Sequence, residues 1–340
     1  MRTRPLVPVL VVALGATLSA CGGDAGGADG DALVIYSGRS EALVGPILDR
    51  LEEAVDVPVE VRYGASSTLA AQLLEEGDAT EADVFFSQDA GALGALAKEG
   101  MLEPLPESVT SLVPEDYTDD EGRWVATTAR ARVLSYDPAQ APEVAEFSEI
   151  DQILDPKYSG EIGYAPTNAS FHAFVTALRI DRGDDGARQW LESFAALDPE
   201  AFENNTAVLE ATDGGEVSIG LINHYYWYRL ADEVGAENVN AQIRFLDSDD
   251  PGALVNVAGA GVIAGSDQAE AANAAIEYLL SEDAQKYFAD ETAEYPVVEG
   301  VSSTTFDLEP LAELDSHQID LNELDSLDET LALLGEVGLT

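Results

Sequence analysis

Cysteine is almost absent from this 340-residue chain: Cys21 stands alone, which rules out an internal disulfide and a thiolate-bound zinc cluster. Histidine is nearly as scarce. His172, His224 and His317 lack the close spacing of H-E-x-x-H, and neither a G-x-S-x-G turn nor a G-x-x-x-x-G-K-[ST] phosphate loop occurs. Lysine is reduced to Lys98, Lys157 and Lys286; with 16 basic against 65 acidic side chains the formal net charge is −49. A surface of that sign repels nucleic acid and anionic lipid, which excludes both as general partners. The acids run along the whole chain rather than forming a tail, so they describe a solvated surface suited to high salt, where screening removes most of the self-repulsion. Many carboxylate pairs could be invented for a glycosidase, but the sequence favours none. Nothing arranges a nucleophile beside a base, so the chain is expected to bind rather than turn over, with an extracellular hydrolase as the competing class.

A membrane-spanning run is also missing. The apolar residues 6–20, preceded by Arg2 and Arg4, number about 15, short of the roughly 20 that a membrane helix needs. They read as a signal peptide over residues 1–20. Leu18-Ser19-Ala20-Cys21 resembles the lipobox of bacterial lipoproteins, in which the cysteine receives lipid and becomes the new N-terminus. Lipidated Cys21 is then the expected anchor and the only membrane contact, on an extracytoplasmic protein. Residues 21–31, rich in glycine, read as a flexible tether.

What the chain does have is 46% hydrophobic content, enough for one large or two medium domains. Residues 32–36 form an apolar strand candidate; residues 40–54 place Leu43, Ile47, Leu48 and Leu51 on one helical face, with Pro46 predicting a kink or a later start. Strands at 59–63 and 83–86, each followed by a helical pattern, extend a β-α repeat. A long extended stretch follows at 125–136. After Pro138 and Pro142 a second series begins, with strands at 161–164, 216–222 and 254–263. Gly259, Gly261 and Ala264 loosely match a dinucleotide turn inside what otherwise reads as strand.

In open α/β sheets ligands bind beyond the carboxyl ends of the strands. The residues there are polar: Ser37-Gly38-Arg39-Ser40, Ser87-Gln88-Asp89, Thr167-Asn168-Ala169-Ser170, and Asn223-His224-Tyr225-Tyr226. Arg39 sits in a glycine-containing turn ahead of a helix, where backbone N–H groups and a guanidinium can hold an anion, or where the arginine can pair with an acid. Asn168 and Ser170 suit either a ligand or a helix cap. Tyr225 to Tyr228 form the densest aromatic cluster in a chain that is 7% aromatic, which fits core packing or, for two neighbouring phenols, a hard and highly charged cation. Arg130, Arg132 and Tyr136 share one side of the long strand, and Tyr136 reads as a hinge or core residue.

The order Tyr36-Ser37-Gly38-Arg39-Ser40-Glu41, Asp83 to Asp89, Ala165-Pro166-Thr167-Asn168, Asn204-Asn205-Thr206-Ala207 and Asn223 to Trp227 resembles the ferric-ion-binding proteins of bacterial iron(III) ABC importers over residues 32–300. The resemblance implies two α/β lobes of the type II periplasmic-binding-protein fold, transferrin-like and joined by hinge strands. One lobe would comprise residues 32–127 and 253–300, the other 128–252, with C-terminal helices at 301–340 packed on them. It implies Fe(III) held by Tyr225 and Tyr226 with a synergistic anion, carbonate or phosphate, near Asn168, Ala169, Ser170, Asn205 and Asn223, or near Arg39. Two positions depart from the family: Ser40 stands where some members have a histidine ligand, and Gln88 where some have a glutamate. Tyr63 is a further candidate to complete the coordination. The implied partners are a membrane permease and its ATPase, served by a monomer. The two departures leave open another small solute, such as a polyamine, an oxyanion or a metal chelate.

Overall fold

The computed structural model describes residues 32–314, 317 and 319–340. The expected signal peptide, Cys21 and tether lie outside the described residues. Among the described residues ten strands follow in chain order: β1 (Leu33–Ser37), β2 (Val59–Tyr63), β3 (Val84–Ser87), β4 (Val125–Tyr136), β5 (Ile162–Tyr164), β6 (Glu200–Ala201), β7 (Ile219–Asn223), β8 (Gln242–Arg244), β9 (Val255–Val262) and β10 (Tyr295–Pro296). The principal helices are α1 (Glu41–Leu48), α2 (Leu51–Val55), α3 (Ser66–Glu76), α4 (Ala90–Lys98), α5 (Glu107–Thr110), α6 (Ala169–Ala195), α7 (Asn205–Asp213), α8 (His224–Val234), α9 (Ala269–Leu279), α10 (Glu282–Glu291) and α11 (Leu327–Val337).

The helix expected over 40–54 forms but is interrupted. Pro46 lies inside α1, which ends at Leu48 before α2 restarts, as a missing N–H and a ring clash with the preceding turn would cause. The long α6 joins two helical stretches across Gly183, whose φ of +69° only glycine adopts freely. Gly259 and Gly261 do not make a dinucleotide turn: both lie within β9, opposite Ser87 and Phe85 of β3.

The strands form two groups sharing one member. In the first, the order is β2-β1-β3-β9-β4, with β1 parallel to β2 and β3, and β9 antiparallel to both of its neighbours. In the second, β6-β5-β7 run parallel and β4 is antiparallel to β7 and β8. Each group is thus a short parallel sheet completed by a strand brought from elsewhere in the chain. Strand β4 serves both, pairing with β9 through Ala131 and with β7 from Arg132 onward. All twelve residues of β4 are buried, which suits its run of alanine, threonine and valine and leaves two arginines without solvent.

Separate apolar cores sit behind the two groups, one including Phe85, Leu93, Val257 and Phe288, the other Phe171, Phe174, Leu191 and Leu221. The C-terminal segment, expected as helices, is helical in part: short 3-10 turns at Leu311–Glu313 and Leu321–Asp325 precede α11. Leu321, Leu324 and Leu327 join the first core, and Leu333, Leu334 and Leu339 the second. The approach to α4 depends on Gly91, where a Cβ would lie 2.7 Å from the Leu324 carbonyl oxygen. The Thr176 hydroxyl of α6 meets the Thr330 hydroxyl of α11 at 2.7 Å, and Arg179 of α6 donates to the Ser326 carbonyl. Among the described residues no helix is long and apolar enough to cross a membrane.

Candidate functional site

The carboxyl ends of β1, β3, β5 and β7 supply the polar turns. Gln88, after β3, donates through Nε2 to the Asn168 side-chain oxygen at 3.3 Å, joining the turn after β3 to the one after β5. Asn168 caps α6 by accepting from the Ser170 N–H at 3.0 Å and also accepts from the Ser170 hydroxyl at 2.6 Å. Asn205, the first residue of α7, donates to Ser170 Oγ at 3.1 Å, and Arg132 Nη1 reaches the same oxygen at 3.4 Å. Ala169 opens α6, and Asn223, closing β7, is buried with its side-chain N–H₂ unpartnered. Ser40, Gln88, Asn168 and Tyr226 line one cleft of about 540 Å³. Arg39 and Ala169 join Ser40, Gln88 and Asn168 around an adjoining space. Ser40 itself is exposed and makes no cap bond with its side chain. Tyr63 lines the adjoining space, 38% exposed, with its hydroxyl over Gly45 of α1.

Tyr225 and Tyr226 are the second and third residues of α8, a placement in its first turn next to the end of β7. Their rings stack at 4.2 Å with 30° between planes. Tyr225 is fully buried, and apart from the neighbouring Tyr226 phenol its hydroxyl has no hydrogen-bond partner among the described residues. Burial, followed by the neighbouring Tyr225, pushes the Tyr226 phenol well above its ordinary pKa, while Arg39 and Arg130 pull against this rise.

Arg39 does pair with an acid, but in the interior rather than at the surface. Its Nη2 donates to Glu294 Oε2 at 2.5 Å, and both side chains are buried. The turn that aims it needs Gly38, because a Cβ there would lie 2.0 Å from Ser66 Oγ, which accepts from the Gln88 N–H at 2.9 Å. Glu294 also accepts from Thr128 and Thr292 hydroxyls, each at 3.1 Å. Burial works to raise its pKa, but the charges of Arg39 and Arg130 prevail and hold it below the ordinary range.

Arg130 and Arg132 were not legible as site residues, although their alternation on β4 put them on one face. Arg130 is 1% exposed, and none of its three guanidinium nitrogens has a hydrogen-bond partner among the described residues. Burial, then the nearby charge of Arg39, lowers its pKa. Arg132 lies over Phe171 and Phe174, keeps Nη2 unpartnered, and is pushed down to about 9 by burial. A guanidinium pair inside a strand otherwise free of charge was the available signal. Glu294, more than 250 residues from Arg39, left none. Asp89, the second buried carboxylate of the cluster, is raised by burial and spends its acceptors on the N–H groups that open α4. Arg39 and Arg130 balance the two buried carboxylates Glu294 and Asp89, and Arg132, with Tyr226 as its titratable neighbour, adds a third buried guanidinium, which leaves an excess of positive charge and of unused donors, the condition for holding an anion.

His224 is fully buried beside the pair. Its Nδ1 accepts from the Ala131 N–H at 3.2 Å and its Nε2 donates to the Ala293 carbonyl at 2.9 Å. Burial pushes the imidazole down to about 4.

Two mixed sheets sharing one long strand, with polar turns at the carboxyl ends of their parallel strands, define a two-lobed solute-binding fold of the transferrin-like type II class. Residues 79–317 match the family of bacterial extracellular solute-binding proteins, and the chain belongs to that family. The major ferric iron-binding protein of Neisseria meningitidis serogroup B is 32% identical over 312 residues, 90% of this chain and 93% of its own. The structure of iron-bound HitA from Pseudomonas aeruginosa aligns with TM-score 0.84 and 33% identity, over 90% of this chain and 99% of HitA. Trichodesmium IdiA (FutA), solved with iron and citrate ligands, aligns at TM-score 0.75 and 26% identity over 91% of this chain and all of its own. The family is one of extracellular transport proteins rather than enzymes.

Proposed function

We propose that this chain captures ferric iron outside the cell, without turnover, and hands it to the permease and ATPase of an ABC importer. Residues 32–127 with 253–300 act as one lobe and residues 128–252 as the other; the change of partner along β4 supports that division. The observation that carries the reading is the stacked Tyr225–Tyr226 pair set among buried arginines with unused donors. A free phenol has a pKa of about 10, and burial makes the Tyr226 phenol harder to ionise, so it keeps its proton until a hard, highly charged cation replaces it. Fe(III) is such a cation, and the excess guanidinium charge offsets the phenolates.

Ser40 and Gln88 are neutral and add no strong ferric ligand, so a synergistic anion completes the sphere. Carbonate or phosphate would be held through Ser170, Asn205, Asn223 and Arg132, with Arg39 and Arg130 compensating charge from behind. Iron and anion together draw the lobes shut, a population shift set by how much better the closed form binds them. The monomer is held at the membrane by lipidated Cys21, its only membrane contact.

A second reading, an intact ferric chelate with carboxylate arms, is favoured by the number of unused donors. A polyamine is disfavoured, because the buried excess of positive charge would repel it. Titration of the soluble protein with ferric citrate tests the main reading. A saturable tyrosinate-to-iron absorption band, weakened or lost in Tyr225→Phe and Tyr226→Phe, is the expected outcome. A folded protein with no band rejects direct coordination by the tyrosines.

A further inference from the structure

We infer that His224 is a positioning residue for the tyrosine pair, a single imidazole that fixes α8 against two other segments of chain. This rests on the proposal that Tyr225 and Tyr226 bind the metal. Three separate pieces of backbone meet at its ring. His224 is the first residue of α8, so its own main chain leads directly into Tyr225. Its Nδ1 takes the N–H of Ala131, the residue at which β4 leaves β9 for β7. Its Nε2 gives a proton to the carbonyl of Ala293, one residue before the Glu294 that holds Arg39. A backbone N–H can only donate, so Nδ1 must be the acceptor and Nε2 must carry the hydrogen. One neutral tautomer satisfies both bonds.

Ring contacts add a third constraint. The imidazole stacks on Tyr295 at 4.5 Å with 20° between planes and meets Tyr225 nearly edge-on, 5.9 Å between centroids. Ala293 adopts φ +56°, a left-handed conformation costly for a residue with a side chain; the Nε2 bond holds its carbonyl where that conformation places it. The same imidazole therefore sets the entry angle of α8 and the turn that aims Glu294 at Arg39. Asn223, which precedes it, makes no side-chain cap bond to α8, so the first turn of this helix is tied down by His224 on one side and by Trp227, whose indole N–H donates to the Ala241 carbonyl at 2.7 Å, on the other. Partners that orient metal ligands without touching the metal are worth roughly 10- to 100-fold in affinity when removed.

Two variants separate positioning from bulk. His224→Phe keeps a ring to stack on Tyr295 and removes both hydrogen bonds; His224→Gln keeps one acceptor and one donor. Ferric citrate titration of wild type and both variants, with circular dichroism as the check on folding, reads affinity and the position of the tyrosinate band. His224→Phe is expected to bind about tenfold or more weakly with a displaced band, and His224→Gln to return most of the affinity. A folded His224→Phe with wild-type affinity and band overturns this inference alone. If His224→Phe does not fold, the glutamine variant decides: a band near wild type supports the inference, and a folded variant with a tenfold loss refutes it. No band in wild type sinks both this inference and the reading beneath it.

Discussion

Replacing Glu294 by glutamine keeps the shape of the side chain and removes its charge. In the folded protein that carboxylate is fully buried, takes hydrogen bonds from Arg39, Thr128 and Thr292, and feels the charge of Arg130. Taking away one partner of a buried ion pair costs about 3–5 kcal/mol, because the other charge is left without compensation. Glutamine still offers an acceptor, which places the expected loss near the lower end, about 3 kcal/mol. Equilibrium urea unfolding of the iron-free protein at pH 7 measures it. The double variant Arg39→Gln/Glu294→Gln should recover part of the loss, since it removes a stranded charge along with its partner. Glutamine at 294 costing under about 1 kcal/mol would refute the claim that this acid compensates the arginine cluster. The pH dependence gives a second reading. Because the folded pKa of Glu294 lies below its unfolded value of about 4.3, its stabilisation is fully present above that value and is lost as pH falls through the folded one. The glutamine variant should lack this part of the acid sensitivity.

Tyr225→Phe removes a buried hydroxyl whose polar contact is the neighbouring Tyr226 phenol, so the iron-free variant should stay within about 1 kcal/mol of wild type in thermal stability, while losing the iron band. A clear destabilisation would reveal an unrecognised partner. His224 titrates near 4 in the folded protein and near 6.5 unfolded. The unfolded chain therefore takes up the proton first: this contribution is complete above about pH 6.5 and is lost as pH falls toward 4, by about 3 kcal/mol in all. His224→Gln should flatten the dependence of the urea midpoint between pH 7 and pH 4.5, and an unchanged slope would assign it to another group. With a net charge of −49, the melting temperature should rise by several degrees between 0.1 and 2 M KCl as the screening length falls below about 3 Å; no rise would mean that self-repulsion is not a significant cost.

The alternation of apolar strands and helices made the first β-α units and the long β4 legible, because their side-chain periods are local. The edge strands β6, β8 and β10, two or three residues each, were not, since so short a strand is defined by its neighbour and not by its own pattern. The same division holds at the site. Asn168, Ser170, Asn223 and the tyrosines follow strands directly and could be found by asking what each strand delivers. Arg130 and Arg132 looked like a face of a strand, and only the burial of the whole of β4 shows that their charges have no water. Glu294 belongs to the cluster through a contact across most of the chain, and no local rule points to it. The C-terminal leucines suggested helices, but those at 321 and 324 lie in a 3-10 turn closely packed on α4, an arrangement made possible by the absence of a side chain at Gly91.

The placement of β9 also sets an order of events. It lies between β3 and β4, so a chain synthesised only as far as residue 250 has those two strands with open edges, no Glu294 for Arg39, and α4 without its cover of Leu324. Such a fragment cannot close its own first sheet, and unpaired edges invite aggregation or capture by other chains. Native structure in this sheet must therefore wait until nearly the whole polypeptide is available, and the last strands of the chain are the ones that complete the first sheet.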